Sequence, residues 1–296
     1  LISITSPHGM HREMAVAALE AGKHVWCEKP MALTLADAEA MTAAAAKAKG
    51  QVTALGYAYL RNPALQYARQ LITEGAIGEV FDFRGSVDED YMADPSLPWS
   101  WRLTRRDAGL GTLGDLTCHL VSLAHELVGE IGSLCAMADV VHGKRPVAGE
   151  SGRLADVEND DIAHAVVRFR SGALGVIEGA TSVFPGFLKT LEISGSRGTV
   201  VCEEENILVW QFDQDRPEDR RIRADCAART TTRLGAADPA AIHNEGHLRQ
   251  FTDFRDAVIG QRAPCVSGEE GRKSVEIILA IYESSRTGRP VTLPLR

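Results

Sequence analysis

The chain of 296 residues carries 40 acidic against 32 basic side chains, a formal net charge of −8, and is 45% hydrophobic and 24% charged. This is an average globular composition, long enough for one large core or two ordinary ones. The acidic balance, relieved only at Arg105–Arg106 and Arg220–Arg221, argues against a nucleic-acid partner, and no apolar run approaches the ~18 residues of a membrane span.

In chain order, residues 1–5 read as a buried strand that opens without a methionine, so the chain is expected to be cut at its front. Residues 7–21 form a helix with a proline in its first turn and Gly22 as its stop. Residues 24–27 make a second short strand. Thr34 with Asp37 then gives a capping-box-like start to an alanine-rich helix that ends before Gly50, and residues 51–55 make a third strand. Strands separated by helices of this length predict parallel crossovers in an α/β layer, whose ligands sit beyond the strand C-termini.

The character changes after residue 56. A helix over 63–74 and an alternating strand over 79–88 lead to "GLGTLG" at 109–114, which has the glycine spacing of a dinucleotide-binding turn. What precedes it is charged and loop-like, with no apolar strand to feed such a turn. The glycines instead open a helix in which Leu116, Leu120, Leu123 and Leu127 recur at helical spacing. Strands over 133–141, 161–170, 174–183, 188–194, 199–203 and 207–212, joined by short turns, predict an antiparallel sheet. Residues 213–240 read as polar and irregular. Helices over 243–259 and 268–286 and a short strand at 291–293 close the chain.

Three groups could carry chemistry. On the helix from Gly111, Asp115 and His119 lie four apart, one turn above each other, bordering the buried face, with Ser122 and Glu126 continuing the stripe. A carboxylate beside an imidazole makes a general base near neutral pH; the plainer reading is a helix-surface pair. Cys27-Glu28-Lys29-Pro30 ends the second strand, where a lysine could polarise a substrate oxygen or simply be a solvated loop residue. Ser6-Pro7-His8-Gly9-Met10-His11 ends the first strand at the same edge. His243 and His247 have the i, i+4 spacing of a zinc pair, but H-E-x-x-H is not matched and no third ligand is evident, so no metal is expected. Six cysteines without a C-x-x-C pair suit reduced thiols, and the opening lacks a signal-peptide layout; both point to the cytoplasm.

Taken together these pieces resemble the glucose-fructose oxidoreductase, inositol dehydrogenase and MocA (Gfo/Idh/MocA) family of NAD(P)-dependent dehydrogenases. The likeness runs in order from Thr5-Ser6-Pro7 with His11, through "EKP" (28–30), "GYAYLRNPAL" (56–65), "GAIGEV" (75–80), "WSWR" (99–102) and "GDLTCH" (114–119), to "AIYESSRTGRPVTL" (280–293). It implies the C-terminal part of a Rossmann-type nucleotide-binding domain over 1–55. An α+β domain for substrate binding and oligomerisation follows over 56–296, with a large, mostly antiparallel sheet. Two βα units holding the family's own glycine fingerprint would precede residue 1.

By the resemblance, Lys29, Asp115 and His119 are the catalytic group. His119 takes a hydroxyl proton, Asp115 orients it and Lys29 polarises the oxygen, the roles of Lys29 and His119 being exchangeable; the Lys29–Pro30 bond is expected to be cis, aiming the lysine inward. Ser6, Pro7, His11, Glu28, Lys29, Trp101, Arg102 and Tyr282 are expected at NAD or NADP. Lys29, Tyr57, Arg61, Arg102, Asp115, His119 and His243 are expected at a sugar, inositol or polyol substrate. Two positions depart from the family pattern: Ser122 stands for a usual acidic residue and His8 for a usual asparagine. The implied activity is hydride transfer at a secondary alcohol by a homodimer or homotetramer assembled through the antiparallel sheet. The alternatives are an NAD-dependent glycoside hydrolase on the same fold and a truncated, non-catalytic oligomerisation module.

Overall fold

The computed structural model describes residues 1–106, 108–183, 188–203, 207–212, 216–229 and 239–295. Strands β1 (Ile2–Ile4), β2 (Val25–Cys27) and β3 (Thr53–Leu55) pair in parallel in that order, as the crossover spacing requires. The crossovers are α1 (His11–Glu20) and α2 (Leu35–Lys47), packed on each other. Thr34 caps α2, its hydroxyl oxygen accepting from the Asp37 N–H at 3.1 Å. Gly22 ends the first crossover at φ 71°, a conformation costly to any residue with a Cβ.

A short 3₁₀ turn at Ala58–Arg61 leads into α3 (Pro63–Thr73), which starts at Asn62 with a proline in its first turn. Then come β4 (Val80–Asp88) and α4 (Cys118–Leu127), followed by β5 (Ile131–Asp139), a hairpin of β6 (Lys144–Pro146) with β7 (Leu154–Asp156), β8 (Ile162–Phe169) and β9 (Leu174–Ala180). The described chain continues with β10 (Leu188–Gly195), β11 (Gly198–Glu203), β12 (Ile207–Gln211), α5 (Pro217–Arg229), α6 (Pro239–Gly260), α7 (Gly268–Thr287) and β13 (Val291–Thr292).

Eight of these strands form one sheet in the order β12-β11-β10-β4-β9-β8-β5-β13. Every neighbouring pair is antiparallel except β4 with β9. That parallel pair sits mid-sheet because the whole segment from α4 to β8 lies between its strands, a connection long enough for a crossover. Along β8, Ala163, Ala165, Val167 and Phe169 are buried while Val166 is 58% exposed. The sheet is therefore one-sided. α7 packs against β5 and α4 against β4, while Met137, Val166 and Leu174 leave apolar groups on the open face.

Three expectations need correction. The segment 213–240 is not irregular throughout, since α5 lies in it; residues 213–215 and 230–238 lie outside the described residues. Only Ile222 and Cys226 make the buried stripe of α5, and Asp219 is buried because Arg216 and Trp210 donate to it; so sparse an apolar face is hidden in a charged run. The β6–β7 hairpin was not foreseen. The helix expected from Gly111 opens with a π turn at Leu113–Thr117 before α4 begins.

That turn also settles the role of "GLGTLG". A Cβ on Gly111 would lie 2.0 Å from the Asp160 carbonyl oxygen, and the Asp160 carboxylate accepts from the N–H groups of Gly111 and Leu113. The glycines let the start of the helix dock on the entrance to β8.

Candidate active site

β2 is buried along its length and delivers the chain at Cys27 to Glu28, whose N–H donates to the Ile4 carbonyl at the end of β1. The Lys29–Pro30 peptide is cis, as the resemblance implies. The Lys29 ammonium reaches the π turn, donating to the Asp115 carboxylate at 2.7 Å and to its backbone carbonyl at 2.6 Å. The second Asp115 carboxylate oxygen accepts from the Tyr91 hydroxyl at 2.7 Å, with the Arg102 guanidinium 3.8 Å away.

These contacts fix the charges. Burial alone would raise the Asp115 carboxyl, but the Lys29 ammonium, with Tyr91 and Arg102, holds it well below the usual carboxylate range. Burial likewise opposes the charge on Lys29, yet Cys118, Asp115 and Glu28 offset it and the lysine is raised above its ordinary value. At neutral pH the pair is ionised.

His119 is placed differently. Its ring is 6% exposed, stacks on Tyr59 with centroids 4.1 Å apart and takes the ring of buried Tyr57 edge-on at 5.7 Å. Its Nδ1 has no hydrogen-bond partner among the described residues. Burial, then the charges of Lys29 and Lys189, pushes it well below the ordinary histidine range, so the imidazole is neutral near pH 7. Asp115 therefore does not hold His119, as its spacing suggested. The π turn removes the regular α-helical relation between the two positions, and the carboxylate is taken by the stronger donor, Lys29.

His8 completes one wall. Its Nδ1 lies 3.1 Å from the Ala108 carbonyl, and burial pushes it down to about 4. With Tyr91, Arg102, Gly111, Thr112 and Asp115 it lines a pocket between the strand ends and the π turn.

The other expected residues are spread more widely. Ser6 and Pro7 stand at the end of β1, and Glu28 accepts from the Lys29 N–H at 3.0 Å. His11 is fully buried, its ring nitrogens 3.1 and 3.0 Å from the carbonyls of Pro30 and Ser6, so it ties the two strand ends together. Trp101 is 39% exposed, with the Arg102 guanidinium 5.0 Å from its ring centroid. Tyr282 is committed to the fold: its hydroxyl donates to the Asp160 carboxylate and accepts from the Gly111 N–H. Arg61 lies 3.7 Å from Asp253 of α6 and is not brought to the Lys29–Asp115 pair. His243 falls in α6, but its side chain lies outside the described residues.

Three residues escaped the sequence reading. Tyr59 lies inside a quoted motif without any distinguishing spacing, and Tyr91 stands in a loop with no signal. Lys189 did carry one: it shares the inward positions of β10 with buried Leu191 and Ile193, and a lysine on such a face is rare without a partner.

Residues 1–56 match the family model described as the oxidoreductase family, NAD-binding Rossmann fold, and residues 65–201 match the GFO/IDH/MocA C-terminal domain. Levoglucosan dehydrogenase of Pseudarthrobacter phenanthrenivorans is 36% identical over 237 residues, covering 75% of this chain and 60% of its own length. The chain thus spans less than two thirds of that curated relative. Among solved structures, an oxidoreductase domain protein from Kribbella flavida aligns with a TM-score of 0.86 at 35% identity, over 99% of this chain and 80% of that one. Levoglucosan dehydrogenase in complex with NADH and L-sorbose aligns with a TM-score of 0.85 at 32% identity, over 99% and 79%.

Proposed function

This chain belongs to the Gfo/Idh/MocA oxidoreductase family, and we propose that it transfers a hydride between NAD or NADP and a secondary alcohol of a sugar, inositol or related polyol. The observation that carries the reading is the ionised Lys29–Asp115 pair at 2.7 Å beside a buried, neutral His119. The relatives described as acting on levoglucosan, or solved with NADH and L-sorbose, support the substrate class. Residues 1–55 supply the cofactor side, and residues 56–296 supply the substrate side and the subunit contacts. The open sheet face bearing Met137, Val166 and Leu174 suits a homodimer or homotetramer. No described helix is long and apolar enough to cross a membrane, and the six free cysteines suit a reducing cytoplasm.

The residues fit a nicotinamide and an alcohol on two counts. The ends of β1 and β2 lie side by side with polar groups from Ser6 and Glu28, and buried His119 Nδ1 has no partner among the described residues. Ser6, Pro7, Glu28, Trp101 and Arg102 would hold the cofactor. When bound, the nicotinamide supplies the hydride acceptor or donor.

Lys29, always charged at working pH, donates to the alcohol oxygen and stabilises the negative charge that grows on it. His119, neutral, accepts the hydroxyl proton and returns it in the reducing direction. Asp115 keeps Lys29 ionised and aimed, Tyr91 holds the far carboxylate oxygen, and Tyr57 and Tyr59 fix the plane of the imidazole.

The test follows nicotinamide absorbance with the natural gene product against levoglucosan, inositols and free pyranoses. Turnover is expected, with His119→Gln losing about 10²- to 10⁴-fold in kcat. Sugar release without net NADH would replace this reading with the glycosidase. Unaltered assembly with no turnover on any polyol would replace it with the oligomerisation module.

A further inference from the structure

Lys189 stands on β10, its side chain 5% exposed, 3.4 Å from the carboxylate of Glu89, itself 14% exposed. Its ammonium also lies 4.8 Å from the centroid of the Tyr59 ring, and that ring stacks on His119 at 4.1 Å. The ammonium is therefore within about 9 Å of the imidazole, in an interior where a charge is weakly screened. Burying a lysine has a cost that a purely structural site would avoid with an aliphatic residue.

We propose that Lys189, held by Glu89 against the Tyr59–His119 stack, is a positioning residue that sets how readily His119 takes up a proton. It is distinct from the Lys29–Asp115 pair and touches no reacting atom. The inference rests on His119 being the proton acceptor in the reading above, but its test needs no turnover.

Among the described residues, the charged and titratable groups facing His119 are few. Lys29 reaches it from the end of β2, Lys189 from β10, Asp115 from the π turn and His247 from α6, while Tyr57 and Tyr59 face it from the 3₁₀ turn region. β4 meets α4 through Gly85 and Leu120, which carry no charge. Arg69 of α3 pairs with Glu126 and Lys273 of α7 acts on His125, both more than a turn beyond His119, while Glu270 of α7 acts on Tyr57. Each cation is paired with a carboxylate, Lys29 with Asp115 and Lys189 with Glu89, and Lys29 acts more strongly on His119, but the Lys189–Glu89 pair can be altered without touching the other.

The experiment is an NMR titration of the natural gene product labelled at histidine Cε1, with the His119 signal identified by its loss in His119→Gln. Lys189→Met is expected to move the His119 midpoint up by about one pH unit, the size set by a unit charge ~9 Å away at an effective dielectric of ~20. Glu89→Gln is expected to move it down or out of the accessible range, and Lys189→Arg to leave it in place. An unmoved midpoint in folded Lys189→Met overturns the proposal. If that variant does not fold, Glu89→Gln and Lys189→Arg decide: equal midpoints in these two also overturn it. A shifted midpoint in a protein that reduces or oxidises no polyol would sink the dehydrogenase reading while the coupling of Lys189 to His119 stands.

Discussion

Asp115→Asn tests the pair on which the site is built. The substitution keeps the shape and removes the charge that Lys29 and Tyr91 both face. The Lys29 and Asp115 side chains are 17% and 29% exposed, so the pair is mostly buried. Breaking a buried pair from one side costs about 3–5 kcal/mol, and an exposed one is worth 0–1. About 2 kcal/mol is expected at this burial, read from urea unfolding at pH 7. The pH dependence gives the sharper check. The Asp115 carboxyl is held below its ordinary value in the folded protein, so the unfolded chain binds more protons as the solution turns acid. Its contribution is complete above about pH 4 and fades as pH falls below that. Lys29 is raised, so its contribution is complete below about pH 10.4 and fades as pH rises beyond it. The difference between wild type and Asp115→Asn should be widest between these limits and close at both ends. A difference below 0.5 kcal/mol at pH 7, or one unchanged from pH 7 to pH 3, would refute the pairing.

Other perturbations probe neighbouring parts. Tyr91→Phe removes the 2.7 Å hydrogen bond to Asp115 and should lower kcat/KM about fivefold through looser aim of Lys29, with about 1 kcal/mol lost in urea; unchanged steady-state rates would dismiss a role for the hydroxyl. Gly111→Ala forces a Cβ to within 2.0 Å of the Asp160 carbonyl, so the turn must move and about 2 kcal/mol or more should be lost; a wild-type urea midpoint would show that the turn is not pinned there. Burial pushes His125 down to about 4, and neither ring nitrogen has a hydrogen-bond partner among the described residues. The unfolded chain takes up this proton near pH 6.5 and the folded one does not, so stability should fall from pH 6.5 towards pH 4. His125→Leu should flatten part of that fall, and an identical slope would count against a buried neutral ring.

Much of the fold is readable because its signals are local. Residues 11–20, 35–47 and 63–73 are helices bounded by a proline, a side-chain cap or a stopping glycine, and each lies within a few residues of its expected limits. The strands of the large sheet show as alternation, since one face is solvated and the other buried. What alternation does not carry is partnership. The parallel contact of β4 with β9 joins segments about 90 residues apart, and nothing in either strand distinguishes a parallel neighbour from an antiparallel one. α5 was lost for the opposite reason: a stripe of two apolar residues in a charged helix is below what periodicity can resolve.

The site shows where spacing stops being geometry. Asp115 and His119 are four apart, and in a regular α-helix that would put the carboxylate one turn from the imidazole. The intervening backbone is π-helical, and at its start Gly111 and Leu113 dock on Asp160, a residue 45 or more positions later that no local pattern ties to them. Once the turn is widened, the competition for the carboxylate is decided by charge: the ammonium of Lys29 and the hydroxyl of Tyr91 reach it, and the imidazole is left among Tyr57, Tyr59 and the field of Lys189. The consequence is a separation of duties that the sequence pattern merges. One part of the site is held ionised by a close pair and suits binding a developing oxyanion; the other is kept neutral by burial and nearby cations and suits taking a proton.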